Sequence, residues 1–168
     1  FQNALEELDS AGEWFYDTRS GDLYFWPLQP IGEVEVRLPL LSNFLQIKGA
    51  RALTIRGLGF TACEGTAIAV ENSEQCLIEQ CHISQCGGFN GSGISISAGK
   101  DCRVSRCEIE RTGGNGVGLN GGDRKTLKGP NHVVENCHIH DVGIFNKNAC
   151  GVSLAGVDLV ARHNHIHH

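Results

Sequence analysis

The chain has 168 residues, 40% of them hydrophobic, and a formal net charge of −5 at pH 7. This length suits one globular domain with a substantial core, and an acidic balance without a basic cluster argues against nucleic acid as a partner. No run of 18 or more apolar residues occurs in the sequence, which argues against a membrane span.

The first forty residues are predicted to form a terminal cap. Asn3 is expected to cap a short helix over residues 4–8, and a turn that contains Gly21 joins two aromatic strands into a hairpin. A third strand follows, because its residues alternate with a period of two. Since residues 1–40 resemble none of the later repeats, we expect them to cover the first coil. The three predicted strands are residues 13–17, 23–26 and 33–38.

From residue 41 onward the chain repeats itself. The clearest copy is residues 76–84, and the apolar residue near the end of each copy recurs every 23 to 30 residues. Such a period is typical of the coils of a solenoid. The apolar residues of this column are Phe60, Ile83, Ile109, Ile139 and Ile166.

A second family of strands lies between these copies, and each member begins at or after a glycine. Alternation predicts that Ile68, Val70 and their equivalents point inward. Within the first family, Gly57 and Asn136 stand where a left-handed bend between two strands is expected. Each coil then has about three short strands, paired about 4.8 Å from their equivalents in the next coil. The pattern predicts an all-β parallel solenoid of about five coils over residues 41–168, with a hairpin-built β-sandwich as the competing architecture.

The eight cysteines fall mostly in columns that other copies fill with leucine or valine. Such columns face inward, where a thiol behaves as a small hydrophobe, so buried free thiols are expected. The five-residue steps between the cysteines do not match a zinc spacing. Stacked neighbours are only marginally suited to disulfide geometry. Cys150 lies in a loop and is predicted to be the exposed thiol.

Binding chemistry is expected on the outward face of the second strand family and in two inserted loops. The outward positions are small and polar, and a flat shelf of this kind can seat a polysaccharide chain, although a plain solvated sheet fits the same pattern. Residues 121–130 form a charged loop after the shelf, and residues 143–150 form a second loop before it. The candidate substrate-binding residues are Ser95, Ser97, Asn120, Arg124, Lys125, Lys128 and Ser153.

Glycoside cleavage normally uses two carboxylates about 5 to 10 Å apart, and the outward positions hold no such pair. Asp123 and Asp141 are the loop carboxylates near the shelf, so they are the candidate catalytic residues for a general acid and a general base. A lyase would instead need an arginine or lysine base near an acidic sugar. Arg124, Lys125 and Lys128 are the candidates for that role.

Four histidines form the sharpest small cluster in the sequence. They flank the column isoleucines of two neighbouring coils, so all four should point outward, about 5 to 7 Å apart, where they could hold a divalent transition metal. Glu108 and Glu110 occupy the same columns one coil earlier. The same pattern also suits a plain solvated strand, and an exposed face is expected to supply no partners that orient the ligands. No metal or other cofactor is therefore predicted, and the weak candidates are His138, His140, His165 and His167.

The repeats resemble right-handed parallel β-helix proteins of the pectate-lyase-like superfamily. The copies that carry this resemblance are residues 76–84, 102–110 and 136–141. The front segment, residues 12–17 and 20–27, is similar to the segment before the helix in large bacterial β-helix glycoside hydrolases, including those that resemble α-L-fucosidases. The resemblance implies a right-handed β-helix and an extracellular or periplasmic protein, although the sequence has no signal segment.

The resemblance also implies hydrolysis of a polysaccharide or oligosaccharide by two carboxylates, with a polysaccharide lyase or a non-catalytic glycan-binding or structural β-helix as alternatives. Proteins of this group are much longer, and the sequence stops on a repeat strand. We therefore expect a fragment, in which the catalytic pair can be incomplete, or a chain whose uncapped last coil stacks end to end with another copy.

Overall fold

A computed structural model describes residues 3–33 and 36–168. The chain divides into two compact units, Phe1–Arg37 and Leu38–His168. In the part of the chain that the structure describes, no helix is long and apolar enough to cross a membrane.

The first unit contains the predicted hairpin. Strands β1 (Trp14–Tyr16) and β2 (Leu23–Phe25) pair antiparallel. Of the predicted strand at residues 33–38, residues 34 and 35 lie outside the described residues, and residues 36–38 are not in a strand.

The predicted helix cap in the first unit is wrong. The helix is a single 3₁₀ turn, Leu5–Glu7, and the residue before it is Ala4, which provides no side-chain cap. Asn3 instead binds the backbone of Tyr16 in the hairpin. Its Nδ2 donates to the Tyr16 carbonyl oxygen at 2.9 Å, and its Oδ1 accepts from the Tyr16 N–H at 2.7 Å. The amide therefore serves strand β1, because two backbone bonds satisfy both its donor and its acceptor.

The second unit is the predicted parallel β-solenoid of five coils, and each coil gives one strand to each of three five-stranded parallel sheets. The first sheet contains β3 (Leu45–Lys48), β6 (Ile68–Glu71), β9 (Ile94–Ser97), β12 (Val117–Gly121) and β15 (Val152–Gly156). The second contains β4 (Thr54–Arg56), β7 (Leu77–Glu79), β10 (Arg103–Ser105), β13 (His132–Glu135) and β16 (Leu159–Arg162). The third contains β5 (Gly59–Cys63), β8 (His82–Cys86), β11 (Glu108–Glu110), β14 (His138–His140) and β17 (His165–His167).

The corner between the second and third sheets is made by one left-handed residue in each coil. The positive φ was predicted from Gly57 and Asn136, which tolerate it, and it occurs in all five coils. The parallel stack therefore holds other residue types in this conformation as well. The five residues and their φ angles are Gly57 at 68°, Gln80 at 53°, Arg106 at 52°, Asn136 at 53° and His163 at 54°.

The interior is filled by stacked branched residues, as the alternation predicted. Ile68 and Val70 of the first sheet are 0% and 1% exposed, and the column residues Ile83, Ile109 and Ile139 of the third sheet are all at 0%. Burying one such side chain contributes roughly 1.5 to 3 kcal/mol, so these stacks dominate the stability of the central coils.

Seven of the eight cysteines are buried free thiols and Cys150 is exposed, as predicted. The buried thiols do more than fill space. The Cys86 Sγ donates to the Ser84 carbonyl oxygen at 3.1 Å, and the Cys137 Sγ donates to the Glu135 carbonyl oxygen at 3.3 Å. Each thiol thus supplies a weak donor to a carbonyl at a corner, where a buried polar group needs a partner.

Two buried glutamates on the second sheet tie neighbouring coils together. Each carboxylate accepts hydrogen bonds from arginines of the coil before or after its own, and these bonds lower the pKa of both glutamates. Both are therefore ionised at neutral pH. Glu79 contacts Arg56 and Arg106, and Glu135 contacts Arg103 and Arg162.

Candidate functional site

The outward side chains of the first sheet form the surface on which the sequence predicted binding, and we call this surface the shelf. Parallel pairing in register aligns its side chains in two rows across the five coils, with steps of about 4.8 Å. Its one carboxylate, Glu71, lies 3.1 Å from the Lys48 ammonium. The first row is Gln46, Ala69, Ser95, Gly118 and Ser153, and the second is Lys48, Glu71, Ser97, Asn120 and Ala155.

The charged loop at residues 121–130 follows the shelf strand β12 and is organised by Asp123. The Asp123 carboxylate accepts hydrogen bonds from the Lys125 N–H at 2.8 Å and from the Thr126 hydroxyl at 2.9 Å. These bonds, the one from Lys125 first, lower the pKa of Asp123. The carboxylate is therefore ionised at neutral pH and is largely used in holding the loop.

Three exposed cations stand on the same loop. Arg124, Lys125 and Lys128 are exposed, and none of them forms an ion pair with any residue that the structure describes. Cations without counter-ions beside a shelf of small polar residues suit a ligand that carries negative charge.

Asp141 lies at a different corner of the coil. It follows β14, where the chain turns from the third sheet to the first, whereas Asp123 follows the far end of a first-sheet strand. The two carboxylates therefore follow strands of different sheets. The Asp141 Oδ2 accepts a hydrogen bond from the His140 Nδ1 at 2.8 Å, and this bond lowers the pKa of Asp141.

The four histidines lie together on the outer face of the third sheet. In-register pairing stacks the ring of His138 on that of His165, with centroids 5.0 Å apart, and the ring of His140 on that of His167, with centroids 5.1 Å apart. The His138 Nε2 is 2.9 Å from the His167 Nε2. The cluster is compact because in-register pairing places each outward side chain of β14 beside the equivalent side chain of β17.

Glu108 of the preceding coil joins this cluster. Its Oε1 lies 3.6 Å from the His138 Nδ1 and 3.9 Å from the His140 Nε2. Two sets of three possible metal ligands result, Glu108 with His138 and His140, and His138 with His165 and His167, each with its ligand atoms within 4.8 Å of one another. The sequence analysis placed Glu108 in the histidine column but did not include it among the candidate ligands.

The expectation that this face supplies no orienting partner is wrong. Asp141 holds the His140 ring through Nδ1, which leaves Nε2 directed towards Glu108. The signal that pointed to this contact is the direct adjacency of His140 and Asp141 at a corner of the coil.

A family model described as a right-handed beta helix region matches residues 41–168 of the chain. No curated protein and no solved structure gave a significant match.

Proposed function

The chain belongs to the right-handed β-helix family, and from this premise we propose that it is part of a carbohydrate-active protein, a glycoside hydrolase whose polysaccharide lies along the shelf. The shelf is the observation that carries the proposal. Five in-register strands about 4.8 Å apart make two rows of side chains about 19 Å long, in which Ser95, Ser97 and Asn120 offer hydrogen-bonding groups to sugar hydroxyls. The resemblance of the front segment to β-helix glycoside hydrolases supports hydrolysis as the reaction.

We propose Asp123 and Asp141 for catalysis as single candidates and not as a pair, because they follow strands of different sheets, and their pKa values restrict their roles. Both pKa values are lowered, so both groups are ionised at neutral pH. An ionised carboxylate suits the base or the nucleophile, whereas the proton donor needs a raised pKa. Replacing each by asparagine tests this role, and a loss of less than tenfold in rate for both variants would clear them of catalysis.

The first experiment is a screen of polysaccharides for new reducing ends and for the ultraviolet absorbance of unsaturated products. Reducing ends without unsaturated products are the expected result for a hydrolase. Ser95→Tyr places a bulky side chain in the centre of the shelf and should weaken polysaccharide binding at least tenfold. Thr54→Tyr on the second sheet is the matched control, and equal binding by both variants would show that the ligand does not use the shelf.

A lyase that acts on an acidic polysaccharide is the second candidate, because Arg124, Lys125 and Lys128 are exposed without ion pairs to the residues that the structure describes. Unsaturated products in the screen would favour it. Lys125→Glu and Lys128→Glu should then weaken the binding of a uronic-acid polymer but not that of a neutral glucan. Lys147→Glu, in the other inserted loop, controls for net charge. Binding without either kind of product would instead support a glycan-binding or structural β-helix.

A further inference from the structure

The outer face of the third sheet brings three metal-binding groups from two neighbouring coils together. The Glu108 Oε1 is 3.6 Å from the His138 Nδ1 and 3.9 Å from the His140 Nε2. Ligand atoms about 2.0 to 2.1 Å from a tetrahedral zinc ion are about 3.4 Å from one another, so small side-chain rotations bring these three atoms to bonding distance. We propose that this face binds one divalent transition-metal ion, zinc by preference, through Glu108, His138 and His140, with a position left open for water or another ligand.

The hydrogen bonds around the two histidines direct the correct nitrogens towards Glu108. The Asp141 carboxylate can only accept, so the His140 Nδ1 must donate to it at 2.8 Å, and the lone pair of His140 is then on Nε2. His138 binds the His167 Nε2 through its own Nε2 at 2.9 Å. When His138 is the donor, its lone pair is on Nδ1, which faces Glu108.

The same proton arrangement also satisfies the next histidine. With its Nε2 accepting from His138, His167 carries its proton on Nδ1, which lies 2.7 Å from the His168 Nδ1 and donates to it. Both proposed ligands thus have their second ring nitrogen bound by a partner, as is usual for metal-binding histidines. The three proposed ligand atoms lie within 4.8 Å of one another, so little movement of the side chains is needed.

The alternative ligand set, His138 with His165 and His167, fits an ion less well. In that set the Nε2 atoms of His138 and His167 are only 2.9 Å apart and share a hydrogen bond. Two ligands of one tetrahedral ion would have to move apart and lose that bond. The chosen set also includes a carboxylate, whose charge favours a divalent cation.

The test is titration of the whole chain with zinc chloride by calorimetry, together with the visible absorption of the cobalt(II) form. We expect one equivalent of zinc with a Kd well below millimolar, and cobalt bands typical of low coordination number. Glu108→Gln, His138→Ala and His140→Ala should each weaken zinc binding at least tenfold. Asp141→Asn should weaken it by about 10- to 100-fold, since it removes the partner that orients His140.

Two control variants separate this site from other histidines on the same sheet. His82 pairs with Glu108 one coil earlier, and His165 belongs to the alternative set, so His82→Ala and His165→Ala should retain zinc binding. All these side chains are on the outer face, and circular dichroism verifies that each variant is folded. Zinc should raise the unfolding midpoint of the parent and of both controls, but not that of His140→Ala.

Zinc binding no tighter than millimolar would overturn the proposal. So would a loss of binding in His165→Ala together with its retention in Glu108→Gln, because that result would place the ion on the three imidazoles. The measurement uses no polysaccharide, so its outcome is independent of the function proposed for the shelf.

Discussion

At the scale of single residues, His132 shows how a polar side chain can occupy an inward column. It occupies the position that Cys76 and Cys102 occupy in the two preceding coils, and it is 0% exposed. Its Nδ1 accepts a hydrogen bond from the Cys102 N–H at 3.2 Å, and its Nε2 donates to the Ala98 carbonyl oxygen at 3.0 Å. Both ring nitrogens are satisfied only when the ring is neutral, and burial lowers its pKa from the ordinary 6.5. The histidine is therefore structural.

This ring predicts a loss of stability in mild acid. Below about pH 6.5 the unfolded chain takes up a proton at His132 while the folded chain does not. The free energy of unfolding therefore decreases as the pH decreases, until the pH reaches the lowered pKa of His132 in the folded chain. His132→Asn keeps an acceptor for the Cys102 N–H, as Asn164 does for the Cys137 N–H, and should remove this contribution. Urea unfolding between pH 7 and 5 measures the effect. We expect the free energy of unfolding to change more steeply with pH in the parent than in His132→Asn, by up to about 1.4 kcal/mol per pH unit.

The control for this titration is His163→Asn, because His163 is exposed at a corner. It makes the same substitution without removing a buried ring. If the His132→Asn variant keeps the parental slope, the buried ring is not the group that titrates.

At the scale of elements, glycines before the strands of the first sheet set how closely the coils approach. Gly116 does not have a positive φ, and its role is to leave space. A Cβ there would lie 2.5 Å from the Gly151 carbonyl oxygen and 2.5 Å from the Ile139 Cγ2. Gly118, two residues later on the shelf, has open space, because a Cβ added there would meet no atom within 4 Å. A side chain is therefore excluded at Gly116 and accommodated at Gly118, although the two glycines have a similar sequence context.

We predict opposite tolerance to alanine at these two glycines. Gly116→Ala forces backbone and core to shift and should lower the free energy of unfolding by about 1 to 3 kcal/mol. Gly118→Ala should change it by no more than about 0.5 kcal/mol. Urea denaturation of both variants measures the difference, and similar values for the two would show that the close approach at Gly116 is not required.

At the scale of the whole molecule, the sequence predicts the solenoid well because uniform register turns each column of the repeat into a row in space. The rows of the shelf and the histidine face follow from period and alternation alone. Side-chain contacts between residues that are not paired in register cannot be predicted in this way. Glu79 pairs with Arg106 as well as with its in-register neighbour Arg56, and the Asn3 contact crosses to a strand 13 residues away. These contacts depend on side-chain reach and direction, which a column pattern does not contain.

The same stacking argument predicts that stability depends on position along the column of isoleucines. Ile109 lies between Ile83 and Ile139 and is 0% exposed, whereas Ile166 pairs with Ile139 and is 47% exposed. In a solenoid each coil contacts only its neighbours. Ile109→Ala should therefore cost about 2 to 5 kcal/mol in the free energy of unfolding, and Ile166→Ala less than half as much.

Chemical denaturation of both variants checks this gradient. Equal costs for the two variants would contradict nearest-neighbour stacking, since a side chain that is 47% exposed would then contribute as much as a fully buried one.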